Sequence, residues 1–287
     1  MATEPPKKTD YVLGSEPPEL VRLDRQAAWL EPATRLLLGQ AGIARGMRVL
    51  DLGTGLGHVA RLAGDLVGPT GAVVGIDRSG QAISVARQRA EAAGASHVSF
   101  VEADVSAWRS PEPFDVIVCR LLLFHLPDPV LAVQRQLENL RPEGLFVALD
   151  FDAGAARSEP PVRIVEEVRD WIERAFRVAG ASPRVGARLG SILRRAGLAG
   201  VATLGVQGYV QPDDPFGRAF LAGLVRSLTD TIIRQKIASA DDIGADSLEQ
   251  RIGEALIDAD AVLLPPTLVG AWGRRSNSRA SARPNLS

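Results

Sequence analysis

The chain has 287 residues, 46% of them hydrophobic, with 33 basic and 34 acidic side chains giving a formal net charge of -1. That length and apolar content suit a globular protein with a large core, and the balanced charge gives no electrostatic reason to expect nucleic acid or an anionic membrane as the main partner. The single cysteine, Cys119, excludes an internal disulfide and suits a reducing compartment, and no uninterrupted apolar run reaches the roughly 18 residues of a membrane span.

In chain order, residues 1–10 are polar, rich in Pro and Lys, and lack an apolar signal core, so disorder and a cytoplasmic location are expected. Residues 19–41 carry Leu20, Leu23, Ala27, Leu30, Ala33, Leu36 and Leu37 at helical spacing, which predicts an amphipathic helix. Strands are predicted at 47–52, 72–77, 98–102, 114–119 and 144–151, with helices at 57–67, 80–93 and 128–140. This alternation is that of a doubly wound sheet. Beyond the fifth strand the pattern changes, with helices predicted at 162–179 and 186–196, β-rich sequence at 200–210, helices at 216–237 and 246–259, and a last strand over 267–274. Residues 276–287 are again polar, and Arg274, Arg275, Arg279 and Arg283 read as a solvated basic tail.

The most informative run is V-L-D-L-G-T-G-L-G at 49–57, an apolar strand that passes Asp51 and enters a turn at Gly53, Thr54, Gly55 and Gly57. A buried strand ending in such a turn and opening a helix brings backbone close to a nucleotide-like ligand. A dinucleotide fingerprint would need glycine after Gly57, where His58 stands, and Asp51 would repel a pyrophosphate. An adenosyl ligand with positive groups and no phosphate, S-adenosyl-L-methionine, fits acid-x-G-x-G-x-G better. Asp77 ends the second strand about 20 residues past the glycines, where adenosine-binding α/β folds place a ribose-binding carboxylate. Asp104, after the third strand, is placed to accept from the adenine amino group while Val105 covers the ring.

The pieces V-L-D-L-G-T-G-L-G, V-V-G-I-D-R-S (73–79), E-A-D-V (102–105), F-D-V-I-V-C-R (114–120), F-H-L-P-D-P (124–129) and L-R-P-E-G-L-F-V-A-L-D (140–150) together resemble the class I S-adenosylmethionine-dependent methyltransferases, in the small-molecule branch similar to ubiquinone and menaquinone methyltransferases. The resemblance spans 11–275. It implies a Rossmann-like seven-stranded sheet with an antiparallel last strand, and helical lid insertions at 159–197 and 214–260. It also implies the cofactor S-adenosyl-L-methionine, held by Asp51, Gly53 and Gly55 at the methionine part, Asp77 at the ribose, Asp104 and Val105 at adenine, and Arg120 after the fourth strand, with Thr54 and Arg78 as further cofactor-binding residues. Arg120 departs from the family's usual smaller residue and could instead meet the methionine carboxylate or an acidic substrate. The leader 11–26 is similar to one that folds over the cofactor, which would bring Tyr11 and Gln26 to its methionine end. The partner implied is a small-molecule acceptor, with no nucleic acid and no membrane, and a homodimer is left open.

Transfer from a sulfonium needs alignment, a dry site and at most one base. His125, directly after the fourth strand, is the candidate base; His58 suits a helix terminus and His97 a loop surface. Asp150 and Asp152 flank Phe151 at the end of the fifth strand and are expected on opposite faces, so that at most one meets the pocket. A carboxylate there could orient a hydroxyl or amine acceptor, or cap a helix or loop. Trp29, Trp171, Phe176, Phe216 and Phe220 suit the core, with Trp171 and Phe176 placed to line an apolar acceptor site. No Cys/His cluster has metal-ligand spacing, so no metal is expected.

Overall fold

A computed structural model describes residues 17–277; Tyr11 and the N-terminal and C-terminal arms expected to be disordered lie outside these residues, apart from Ser276 and Asn277. The chain divides into two compact units.

The larger unit comprises residues 29–155, 181–208 and 266–277. Its sheet has seven strands: β1 (Arg48–Leu52), β2 (Ala72–Asp77), β3 (Val98–Glu102), β4 (Phe114–Arg120), β5 (Leu140–Asp152), β7 (Leu198–Val206) and β9 (Thr267–Arg275). Their order is β3-β2-β1-β4-β5-β9-β7, with β9 antiparallel to both neighbours and the five strands β1 to β5 mutually parallel. The expected seven-stranded topology is present, and it creates a switch point between β1 and β4, where chain connections leave in opposite directions and a crevice opens at the carboxyl ends.

The central strands β1, β4 and β5 are buried on both sides because helices cover both faces, while the edge strands β3 and β7 are largely exposed. Val49, Val73, Val116, Val118, Val147 and Leu149 face one way, against Leu30, Leu37 and Leu38 of α1 (Pro17–Ala41), Val59, Leu62 and Ala63 of α2 (His58–Val67) and Ile83 and Ala86 of α3 (Gly80–Ala92). Leu50, Leu52, Ile117, Cys119, Phe146 and Ala148 face the other way, against Val133 of α4 (Pro129–Gln136) and Leu189, Ile192 and Leu193 of α6 (Leu189–Arg195). Because α6 buries its apolar side on the sheet, residues 181–197 belong to this unit rather than to an insertion running from 159 to 197. Two termini matter for the site. Ser79 caps α3 by accepting from the Ala82 N–H at 3.2 Å. Asp128 caps α4 by accepting from the Leu131 N–H at 2.9 Å, with Pro129 in the first turn, where its missing N–H costs nothing.

The smaller unit comprises residues 17–28, 156–180 and 209–265. Helices α5 (Arg163–Val178), α7 (Pro215–Arg234) and α9 (Leu248–Asp258) pack on one another, with the short α8 (Ala240–Ile243) beside them. Val165, Val168 and Phe176 of α5, Phe220, Leu224, Val225 and Leu228 of α7, and Ile252 and Leu256 of α9 are buried. The outer side of α5 is a ladder of exposed pairs, Arg163 with Glu167 and Arg174 with Asp170 among them. Phe216 and Phe220 stack at 5.6 Å, and Phe176 is buried as core. The sequence pattern missed α8 and a two-stranded ribbon, β6 (Arg157–Glu159) with β8 (Val262–Leu264), because three- and four-residue elements carry no periodicity.

Arg274 and Arg275 are not part of a solvated tail. They lie in β9, where Arg274 donates to the Glu143 carbonyl at 2.9 Å and Arg275 to the carbonyls of Leu137, at 2.6 Å, and Leu140.

Candidate active site

The crevice is built around the turn that follows β1. Gly53, Gly55 and Gly57 all have positive φ, at 66°, 51° and 80°, a backbone region closed to most side chains. They differ in surroundings. A Cβ on Gly57 would lie 2.9 Å from the Phe100 ring and 3.1 Å from Ala86, so that glycine lets the turn pack against β3 and α3. A Cβ on Gly55 would meet nothing within 4 Å, so the backbone there faces open space.

Asp77, at the end of β2, holds the turn. One carboxylate oxygen accepts from the Gly55 N–H at 2.9 Å and the other from the Ser79 N–H at 2.9 Å, at the entrance to α3. A carboxylate offers about four lone-pair sites, so two remain for a ligand at a half-buried position.

Asp51 is not at the rim of the turn but beneath it, 1% exposed. It accepts from the Thr54 hydroxyl at 2.6 Å and from the Ala60 N–H in the first turn of α2. Burial raises its pKa to about 7, opposed by those hydrogen bonds and by the charge of Arg120. Arg120, the last residue of β4, donates to the buried Thr34 hydroxyl of α1 at 2.9 Å, and Thr34 in turn donates to the Leu30 carbonyl at 2.7 Å. Burial lowers Arg120 to about 10, still cationic at neutral pH. Thr34 joins this network through tertiary contact alone; nothing in an apolar helical stripe marks it.

After Arg120 the chain turns sharply. Leu121 has φ 54°, an uncommon value for a bulky side chain and a sign of local strain held by its surroundings. Its N–H donates to the Leu149 carbonyl at 2.8 Å, and the side chain of Leu122 fills the space beside Gly53. Residues 123–125 form one 3-10 turn. Asp150, 1% exposed, fixes that turn: its carboxylate accepts from the N–H groups of Phe124 and Phe151, each at 3.0 Å, and from that of Leu123. Burial raises Asp150 to about 7. Three backbone N–H groups occupy its carboxylate and it is closed off from solvent, so it serves as an anchor of the turn. Asp152, two residues on, lies on the same strand face and not on the opposite face expected for it, because side chains alternate at every residue; it accepts from the Gly154 N–H at 2.9 Å.

His125 stands edge-on to Phe124 with ring centroids 4.2 Å apart. Burial, and then the charge of Arg78, lower its pKa to about 4, which leaves the imidazole neutral at neutral pH. Arg78 also helps lower Asp104, whose carboxylate is held below its ordinary range mainly by the hydroxyl and N–H of Ser106, the N–H at 2.7 Å. Asp104 is exposed and Val105 half-buried. Val105, Leu122, Leu126, Pro127 and Phe146 line an apolar cleft of about 180 Å³. Gln26 lies in the smaller unit and accepts from Arg22 at 2.6 Å. Of the other histidines, His97 bonds the Gly64 carbonyl at 3.1 Å and His58 meets Arg89 at 3.4 Å. Among the described residues no three His, Cys, Asp or Glu side chains gather as a metal site.

Comparison with known proteins gives this site its class. A methyltransferase-domain family model matches residues 43–197. The chain belongs to that family, within the class I S-adenosylmethionine-dependent methyltransferases, and S-adenosylmethionine is the cofactor of the class. Among curated proteins it is similar to the ubiquinone/menaquinone biosynthesis C-methyltransferase UbiE of Pseudomonas fluorescens, 32% identical over 144 residues, 50% of this chain and 54% of the relative. The chain thus spans about half the length of the curated relatives it matches. Among solved structures it shares its fold with the YcgJ protein of Bacillus subtilis, with a TM-score of 0.56 at 18% identity over 86% of this chain and 99% of that one. It shares it also with an S-adenosylmethionine-dependent methyltransferase of Aquifex aeolicus, at 0.50 and 20% over 69% and 93%. The residues present fit the cofactor: the open backbone at Gly55, the two spare lone-pair positions of Asp77 and the outward carboxylate of Asp104 lie at successive strand ends of one crevice.

Proposed function

We propose that the protein transfers a methyl group from S-adenosylmethionine to an oxygen, carbon or nitrogen of a small, partly apolar acceptor such as a phenol or quinone-like ring. The observation that carries this reading is Asp77, oriented by Gly55 and Ser79 with lone pairs to spare beside a glycine whose surroundings are open. When bound, the cofactor supplies an activated methyl group; the protein's own work is to align, to exclude water and to accept a proton. Asp77 takes the ribose hydroxyls and Asp104 the adenine amino group. Asp51, buried under the turn and balanced by Arg120, holds Thr54 and the start of α2 in place for the methionine part. His125, neutral and at the end of the 3-10 turn that follows β4, accepts the proton of a hydroxyl acceptor as transfer proceeds. The apolar cleft and the similarity to ubiquinone/menaquinone biosynthesis C-methyltransferases favour an aromatic or quinone-like acceptor.

Calorimetry tests the cofactor half of this reading, with S-adenosylhomocysteine expected to bind in preference to NAD. Incubation with S-adenosylmethionine and a panel of phenols and hydroquinones tests the rest, with S-adenosylhomocysteine and a methylated product expected by mass spectrometry. Tight S-adenosylhomocysteine binding with no turnover over the whole panel would make the chain an adenosyl-binding protein instead.

A further inference from the structure

Between β3 and β4 the chain runs through residues 103–113 without regular structure, and this segment carries Asp104 and Val105. Such a loop keeps a fixed course only if its backbone groups find partners. Part of the course is local: Asp104 accepts from the Ser106 N–H at 2.7 Å, and its carbonyl accepts from the N–H groups of Ala107, at 3.1 Å, and Trp108, at 2.9 Å. The Ala103 N–H also donates to the Asp77 carbonyl at 2.8 Å and Arg109 to the Trp108 carbonyl at 2.8 Å. Two buried amides add to these, Gln136 at the end of α4 and Asn139 in the 3-10 turn that follows it, each 2% exposed. The Gln136 amide donates to the Val105 carbonyl. Asn139 donates to the Gln136 amide oxygen at 2.8 Å and to the Trp108 carbonyl at 3.4 Å, and accepts from the Ser110 N–H at 2.9 Å. Asn139 thereby fixes which way the Gln136 amide faces: with its oxygen occupied by Asn139, its NH₂ is presented to Val105. Two polar side chains are buried here at a cost that only this satisfied network offsets.

We propose that Gln136 and Asn139 are positioning residues that set the site's selectivity for an adenine base, by holding the Val105–Ser106 peptide, and with it the Val105 side chain and the Asp104 turn, where the base must meet them. This rests on the reading of Asp104 and Val105 as the adenine wall. A carboxylate in that place accepts from the 6-amino group of adenine and repels the 6-oxo group of hypoxanthine, so a fixed Asp104 discriminates between the two bases and a drifting one does not.

The test measures, by calorimetry on the full chain, the dissociation constants of S-adenosylhomocysteine and S-inosylhomocysteine. Wild type should prefer the adenosyl ligand about tenfold or more. Gln136→Leu removes the donor at similar size, and should weaken S-adenosylhomocysteine roughly three- to tenfold while leaving S-inosylhomocysteine nearly unchanged, so that the ratio falls toward one. Asp77→Asn, at the ribose, should weaken both ligands alike. If Gln136→Leu does not fold, Asn139→Asp serves instead: it keeps an acceptor for Ser110 and loses the donor that orients Gln136. A variant that melts lower but keeps the wild-type ratio would overturn the inference, since Gln136 would then hold only the fold. A wild type that does not prefer the adenosyl ligand would overturn the adenine-wall reading itself, and the inference with it.

Discussion

Replacement of Asp77 by alanine removes an acceptor that serves protein and ligand together. Two of its lone-pair positions are taken by the Gly55 and Ser79 N–H groups at 2.9 Å each, and the remaining two are those assigned to the ribose hydroxyls. Hydrogen bonds to a charged group contribute about 1.5–3 kcal/mol. Water at this half-buried position replaces part of the ribose pair, so one such contribution is the expected net loss, roughly 10- to 150-fold in affinity. The variant should also melt at a lower temperature, because the Gly55 turn and the entrance to α3 lose their shared acceptor. Asp77→Asn refines the experiment. An amide has one oxygen, so whichever way it is placed, either Gly55 or Ser79 faces an NH₂ group, and part of the defect of alanine should persist despite equal size. The assay is calorimetric titration with S-adenosylhomocysteine, alongside thermal unfolding. Unchanged affinity in a folded Asp77→Ala variant would refute the reasoning and move the ribose site elsewhere.

Gly55→Ala and Gly57→Ala should separate binding from folding. Both place alanine at positive φ, at a cost of about 1–2 kcal/mol, but Gly57→Ala also drives its methyl into Phe100 and Ala86, adding about 1–3 kcal/mol of overpacking. Urea unfolding should show the larger loss in Gly57→Ala, and titration the larger loss of affinity per unit of stability in Gly55→Ala; the reverse order would be evidence against an open ligand face at Gly55. His125→Asn should lower kcat about a hundredfold, the low end for a general base because a pKa of about 4 makes a weak one, with S-adenosylhomocysteine affinity unchanged. The wild-type rate should be level with pH above about 5, and a rise centred near 6.5 would remove His125 from the reaction. Asp51 and Asp150 have folded pKa values near 7, raised above the ordinary carboxylate value. Their contribution to stability is therefore complete below the unfolded pKa of about 4 and is lost as pH rises to about 7, with a slope of up to about 1.4 kcal/mol per pH unit for each group. Asp150→Asn should flatten that decline between pH 4.5 and 7, and an identical slope in urea unfolding curves would show that Asp150 is ionised throughout.

Much of the fold was legible in the sequence because its central parallel strands are buried on both faces. Runs such as V-L-D-L at 49–52 and V-I-V-C at 116–119 are apolar without alternation, and each is followed by a helical pattern, so strand positions and the order of elements followed from local chemistry. The glycine turn was legible for the same reason, since only glycine occupies positive φ readily at three places within five residues. The direction of a carboxylate was not. Asp51, Asp77, Asp104 and Asp150 are all acids at or just after strand ends, yet Asp51 is buried under a helix start, Asp150 is spent on the backbone of a neighbouring turn, and Asp77 and Asp104 retain lone pairs that face outward. What separates them is the set of N–H groups that other segments bring to each oxygen, and those come from up to 26 residues away. The link between Arg120 and Thr34, 86 residues apart, and the Gln136–Asn139 pair beneath the loop at 103–113 are likewise products of packing. A polar side chain at 2% exposure is stable only when partners from distant segments are already in place, so its role was decided by the tertiary structure alone.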